Sequence, residues 1–103
     1  MNLVIFAGPN GGGKSSVVTQ FIKEYHCEDY EYVNPDIYAK RITDNISEAE
    51  KYQRAFELAE RKSEDLVRNQ KDFIIETVNS TDKKYPLYEK CIKCGYKIIV
   101  VFI

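Results

Sequence analysis

The chain has 103 residues, of which 44% are hydrophobic and 30% charged, with a formal net charge of −1. That length holds one domain and that apolar fraction fills one core, so we expect a single domain over residues 1–103. The charge balance lacks the clustered cations that tracking nucleic-acid phosphates needs, no uncharged apolar stretch is long enough for a membrane span, and no leader-like segment precedes the first apolar run, which predicts a cytoplasmic protein.

The first predicted element is a buried strand, Leu3-Val4-Ile5-Phe6-Ala7. It runs into Gly8-Pro9-Asn10-Gly11-Gly12-Gly13-Lys14-Ser15, which fits G-x-x-x-x-G-K-[ST] at every fixed position. A helix then starts near Lys14 and runs to about Tyr25, with Val17, Val18, Phe21 and Ile22 as its apolar stripe. Strand, glycine loop and helix form the arrangement that wraps backbone N–H groups around a phosphate chain, with the helix dipole favouring the anion. Gly8, Asn10, Gly11, Gly12 and Gly13 would form the cradle. Lys14 would reach the β- and γ-phosphates, the Ser15 hydroxyl would sit on Mg²⁺, and Ser16 would touch the α-phosphate side. The bland alternative is a flexible turn with a solvated lysine.

Next comes a short strand, Tyr30-Glu31-Tyr32-Val33, closed by Asn34-Pro35-Asp36. Proline disfavours helix at Asn34 and suits the first position of the short helix that follows, which carries Ile37, Tyr38, Ala39 and Ile42. Ser47 and Glu50 form a capping box for a longer helix ending near Asn69, with a stripe of Ala49, Tyr52, Phe56, Ala59, Leu66 and Val67. Asp72 to Thr77 reads as a second buried strand, and Asn79-Ser80-Thr81-Asp82 as a loop and cap. A helix through Leu87, Tyr88, Cys91 and Ile92 ends at Gly95, and Tyr96 to Ile103 is a strongly apolar last strand. Cys91 and Cys94 have C-x-x-C spacing. With no second pair, one histidine (His26) and an odd cysteine count, they read as reduced packing residues.

The order β-α-β-α-α-β-α-β predicts an α/β fold: a parallel sheet of about four strands with helices on both faces. Ligands of such sheets bind at the carboxyl rim. Asp36 and Glu76 fall at carboxyl ends of strands, so both should face the phosphate site. Asp36 suits the proton acceptor for an attacking hydroxyl, and Glu76 a water-mediated Mg²⁺ contact or an acceptor contact, with Thr77 beside it. Each could instead be a structural carboxylate, serving a helix dipole or a loop N–H.

Four blocks, AGPNGGGKSS (7–16), VNPD ending at Asp36, DFIIETVNST (72–81) and CGYKIIVVFI at the end, together resemble the zeta-toxin family of P-loop kinases. The resemblance implies an ATP- and Mg²⁺-dependent kinase that phosphorylates a sugar hydroxyl of a nucleotide sugar such as UDP-N-acetylglucosamine, with an antitoxin as a partner in some members. It implies phosphate and metal roles for Lys14 and Ser15, the base for Asp36, and acceptor contacts for Glu76 and Thr77. Family members continue into an arginine-bearing lid, a further strand and an adenine-clasping segment, which lie beyond these 103 residues. Arg41, Arg54, Arg61 and Arg68 fall on helices before the third strand and do not match the lid position. An ATP-binding module without transfer activity is the alternative function. Lys83, Lys84, Lys90, Lys93 and Lys97 read as a solvated face, which makes a nucleic-acid end kinase the weakest reading. The last strand, placed at a sheet edge, invites self-association.

Overall fold

A computed structural model describes residues 1–8, 14–77 and 85–103, with the side chains of Lys14, Ser15, Thr77 and Tyr85 outside the description. The elements are β1 (Asn2–Ala7), α1 (Lys14–Glu24), β2 (Glu31–Val33), α2 (Pro35–Arg41), α3 (Glu48–Arg68), β3 (Phe73–Thr77), α4 (Tyr85–Lys93) and β4 (Lys97–Phe102). The strands form one parallel sheet in the order β2-β3-β1-β4. The predicted element order and the parallel α/β architecture therefore hold.

Parallel pairing puts residues in register on the same face, so each central strand feeds two cores. Leu3, Ile5, Phe73 and Ile75 pack with Ala59, Leu66 and Val67 of α3 and Cys91 of α4. Val4, Phe6 and Ile74 pack with Val18 of α1, Phe21 and Ile22 on the other face. An edge-to-face contact of Phe6 and Phe21, 5.3 Å between ring centres, locks α1 against β1. The continuous apolar runs follow from this two-sided burial.

β1 and β3 are neighbours, yet the helices that follow them, α1 and α4, lie on opposite faces. The chain diverges there, and in open α/β sheets the carboxyl ends of two such strands are where ligands bind.

Three stripe assignments need correction. On α3 the buried positions are Ala55, Ala59, Ser63, Leu66 and Val67, while Tyr52 is 53% exposed and Ala49 exposed. The first turns of α3 face α2 rather than the sheet, so the apolar row begins one turn later than the sequence pattern implies. On α1, Val17 lies at the margin of the stripe and is exposed, and on α4 Ile92 faces solvent. Cys91 is fully buried as expected, but Cys94 is exposed and does not pack. All three cysteines are free thiols.

Helix ends turn back to the strands by left-handed residues: His26 after α1, Gln70 after α3 and Gly95 after α4. After α3 and α4 the turn closes with paired bonds, Lys71 N–H to the Leu66 carbonyl and Tyr96 N–H to the Cys91 carbonyl, each 2.9 Å. Glycine was anticipated only at Gly95. β4 lies at the sheet edge, and on its outward row Val100 and Phe102 are 44% and 83% exposed.

Candidate functional site

The carboxyl rim is assembled from the ends of all four strands. β1 ends at Ala7, and Gly8 follows with the end of β4 against it. A Cβ built on Gly8 would lie 3.2 Å from both the Cβ and the carbonyl oxygen of Ile103. A side chain here would crowd Ile103, and the φ of Gly8 is not in the left-handed region. Residues 9–13 lie outside the described residues, which takes in Asn10, Gly11, Gly12 and Gly13. The chain resumes at Lys14 as the first residue of α1, with Ser15 next and Ser16 exposed in the same first turn. Strand and helix thus flank the glycine segment as the motif demands.

At the end of β2 the backbone of Asn34 is extended (φ −140°, ψ 117°) because Pro35 excludes the helical region before it. Asn34 caps α2: its side-chain Oδ1 accepts the Asp36 N–H at 2.9 Å. Asp36 stands in the first turn, exposed, at the positive end of the helix dipole. From β3, in register with Phe6 of β1, comes the half-buried Glu76. Asn34 Nδ2 donates to Glu76 Oε2 at 3.1 Å. The Tyr32 hydroxyl faces Glu76: burial first, and then the carboxylate of Glu76, hold the phenol far above the usual tyrosine range, and the charge of Asp36 adds to the rise. The charges of Glu76 and Asp36 thus both act on the Tyr32 phenol.

Asn34 and Tyr32 were not singled out from sequence as site residues. Strand alternation puts positions 32 and 34 on one side of β2, and a polar pair there beside a strand-end glutamate was the available signal. Thr77 ends β3 opposite Ala7, with its side chain outside the described residues, as are Asn79 and Ser80.

Asp36 also opens onto a groove of about 470 Å³ between α2 and α3, lined with Lys40, Lys51 and Tyr52 among others. A more apolar cavity of about 310 Å³ lies between α3, α4 and the sheet, with Phe56, Ala59, Ser63 and Leu87 in its wall. The arginines are elsewhere. Arg41, Arg54 and Arg61 share a separate groove with Asp44 and Glu57, Arg54 is paired to Asp44 at 2.8 Å, and Arg68 is paired to Asp65 at 3.1 Å. No group of three or more metal-ligating side chains occurs among the described residues. No helix among the described residues is long and apolar enough to cross a membrane.

A family model described as an AAA domain matches residues 3–103. The chain belongs to that family. Its architecture is the P-loop NTPase, kinase-like α/β fold, and membership points to nucleotide binding. The crystal structure of a candidate kinase from Chloroflexus aurantiacus superposes with a TM-score of 0.72 at 11% identity, over 98% of this chain. The chain spans 58% of the length of that structure, and at this identity the likeness is one of fold. No curated protein matches the chain. The zeta-toxin resemblance is thus supported at the level of a P-loop, kinase-like fold and no finer.

Proposed function

We propose that this chain carries the phosphate-binding core of an ATP-dependent small-molecule kinase. The observation that carries the reading is the Asn34 bridge between Glu76 and the turn of Asp36, at the carboxyl rim of the sheet. Gly8, Asn10, Gly11, Gly12, Gly13, Lys14, Ser15 and Ser16 would cradle the triphosphate, Lys14 facing the β- and γ-phosphates. Mg²⁺, when bound through Ser15 and, by way of water, Glu76, would supply positive charge to the transferring phosphoryl group. Asp36 would take the proton of the acceptor hydroxyl as that oxygen bonds to the γ-phosphorus. The bond to the β-phosphate oxygen breaks, and ADP leaves. Glu76 and Thr77 would hold the acceptor.

The groove beside Asp36 offers Lys40 and the exposed face of Tyr52 to an acceptor, while Lys51 is paired with Glu48 at 3.5 Å. UDP-N-acetylglucosamine, the acceptor that the zeta-toxin resemblance implies, is the first to try. One observation favours the alternative, a nucleotide-binding module without transfer: three of the four arginines lie in a groove apart from Asp36, and Arg54 and Arg68 are already paired. None of these three arginines is then placed to neutralise the transferring phosphoryl group.

Calorimetry with magnesium ATP, followed by phosphorus NMR after adding the nucleotide sugar, separates these readings. Heat plus ADP and a new phosphomonoester supports the kinase, and heat without product supports the module. Absence of heat at millimolar nucleotide overturns both.

A further inference from the structure

We propose that Asn34 is a positioning residue that fixes Asp36 in register with Glu76; as a catalytic statement this rests on the kinase reading above. A primary amide is an acceptor at one end and a donor at the other. Asn34 uses both: Oδ1 takes the Asp36 N–H at 2.9 Å, and Nδ2 gives to Glu76 Oε2 at 3.1 Å. The first bond belongs to α2 and the second to β3, forty-two residues away in sequence. One side chain therefore ties the turn that carries Asp36 to the strand that carries Glu76. Pro35 removes backbone freedom on the other side of the tie.

The alternative is that Asn34 is only a helix cap. A cap needs one acceptor oxygen, and serine or aspartate supplies it about as well as asparagine. Aspartate has no donor and sets a like charge against Glu76, and the serine hydroxyl, one bond shorter than the amide, falls short of Glu76 while it caps α2. Asn34→Ser and Asn34→Asp therefore separate the two roles.

With magnesium ATP and an acceptor that the wild type phosphorylates, Asn34→Ser should keep the melting temperature and the nucleotide dissociation constant, whereas Asn34→Asp should melt lower and its turnover is read per folded molecule. Their kcat should fall by roughly 10- to 100-fold, the larger loss for Asn34→Asp, because a misplacement of about 1 Å costs on that scale. Unchanged kcat in Asn34→Ser, or a loss that only tracks the folded fraction, overturns the proposal. The bridge is also read without turnover. In ¹H–¹⁵N spectra, Glu76→Ala should shift the Asn34 side-chain amide and the Asp36 backbone amide, and stationary resonances overturn it. Should the wild type transfer phosphate to nothing, the kinase reading fails, while the spectra still decide whether Asn34 joins the two elements.

Discussion

The two ends of the sheet carry the same three kinds of side chain, joined differently. At the amino end Asn2 is the hub: its N–H donates to Asp72 Oδ1 at 2.6 Å and its Nδ2 to the Tyr30 hydroxyl at 2.9 Å. Close by, the Tyr96 hydroxyl donates toward the carbonyls of Leu66 and Lys71, at 3.0 and 2.7 Å. At the carboxyl end Asn34 is the hub, between Glu76 and the turn of Asp36, with Tyr32 as the phenol. The amino-end carboxylate is committed to the first backbone N–H of β1 and closes a seam. The carboxyl-end trio stops one side chain short of closure, because Asp36 is exposed and its carboxylate has no hydrogen bond or ion pair among the described residues. A network that spends its groups on the backbone stabilises the fold. One that leaves a carboxylate over at a helix N-terminus can act on a ligand.

Substituting the two aspartates should therefore give opposite outcomes. Asp36→Asn should lower phosphoryl transfer by roughly 10²- to 10⁴-fold, the range for loss of a positioned base, with nucleotide affinity retained in calorimetry. Equal loss of nucleotide affinity would reassign Asp36 to the phosphate or metal. Asp72→Ala should leave turnover per folded molecule intact and cost about 1.5–3 kcal/mol in urea unfolding, since it strands the Asn2 N–H. If Asp72→Ala reduced turnover of folded protein, the division between the ends would be wrong. Tyr96→Phe belongs with Asp72: it removes a donor from carbonyls inside the seam, and about 1–3 kcal/mol is expected.

Much of this was legible beforehand, for a physical reason. Apolar runs such as Leu3–Phe6 and Phe73–Ile75 sit in strands buried on both faces, where composition alone dictates the element. Asp36 and Glu76 followed from topology, because parallel strands bring their carboxyl ends to one rim. The α3 stripe did not follow, since which turns of a long helix meet the sheet depends on where α2 sits. Asn34 was read as a residue before proline. Its second bond reaches across 42 positions to Glu76, and no local pattern records such a pairing.

Alkaline pH should weaken the seam and α4 in a set order. Burial raises the Cys91 thiol from an ordinary 9.0 to about 11. The folded state thus holds its proton more tightly than the unfolded chain does. That contribution is complete below pH 9 and is lost as pH climbs toward about 11, by an amount on the order of 2 kcal/mol. Tyr96 is raised above 10.0, also by burial first, so its share is lost above pH 10. In Cys91→Ala, stability measured across pH 8–11 should lose the earlier part of the decline and keep the later. An unchanged profile would show that the thiol does not drive it.

The two lateral edges of the sheet offer a second comparison. β2 is three residues long and begins with Glu31, which pairs loosely with Lys62 at 3.9 Å, so this edge is short and charged. β4 is six residues of mostly apolar sequence with Phe102 projecting into solvent. Edges of the second kind pair with other chains. Phe102→Lys should shift light-scattering mass toward monomer at high concentration with little change in stability, because an 83% exposed ring contributes little to the core. A wild type that is already monomeric there would remove the contrast between the edges.

The smallest expected effect separates the helix ends at the amino rim. Gly95 takes its left-handed turn (φ 86°) without strain, whereas Gln70 makes the corresponding turn after α3 at φ 53° with a side chain in place. The hydrogen bonds are alike, Gln70 N–H to Val67 and Gly95 N–H to Ile92, both 3.1 Å, so backbone strain is the main difference. Gln70→Gly should therefore stabilise by about 0.5–1 kcal/mol, the left-handed penalty of about 1–2 kcal/mol less the added freedom of the unfolded chain. Gly95→Ala should destabilise by a similar amount for the converse reason, even though nothing lies within 4 Å of the added methyl. If both substitutions proved neutral in urea unfolding, the cost of the left-handed residue would be offset by relaxation of the turn, and the two helix ends would be energetically equivalent.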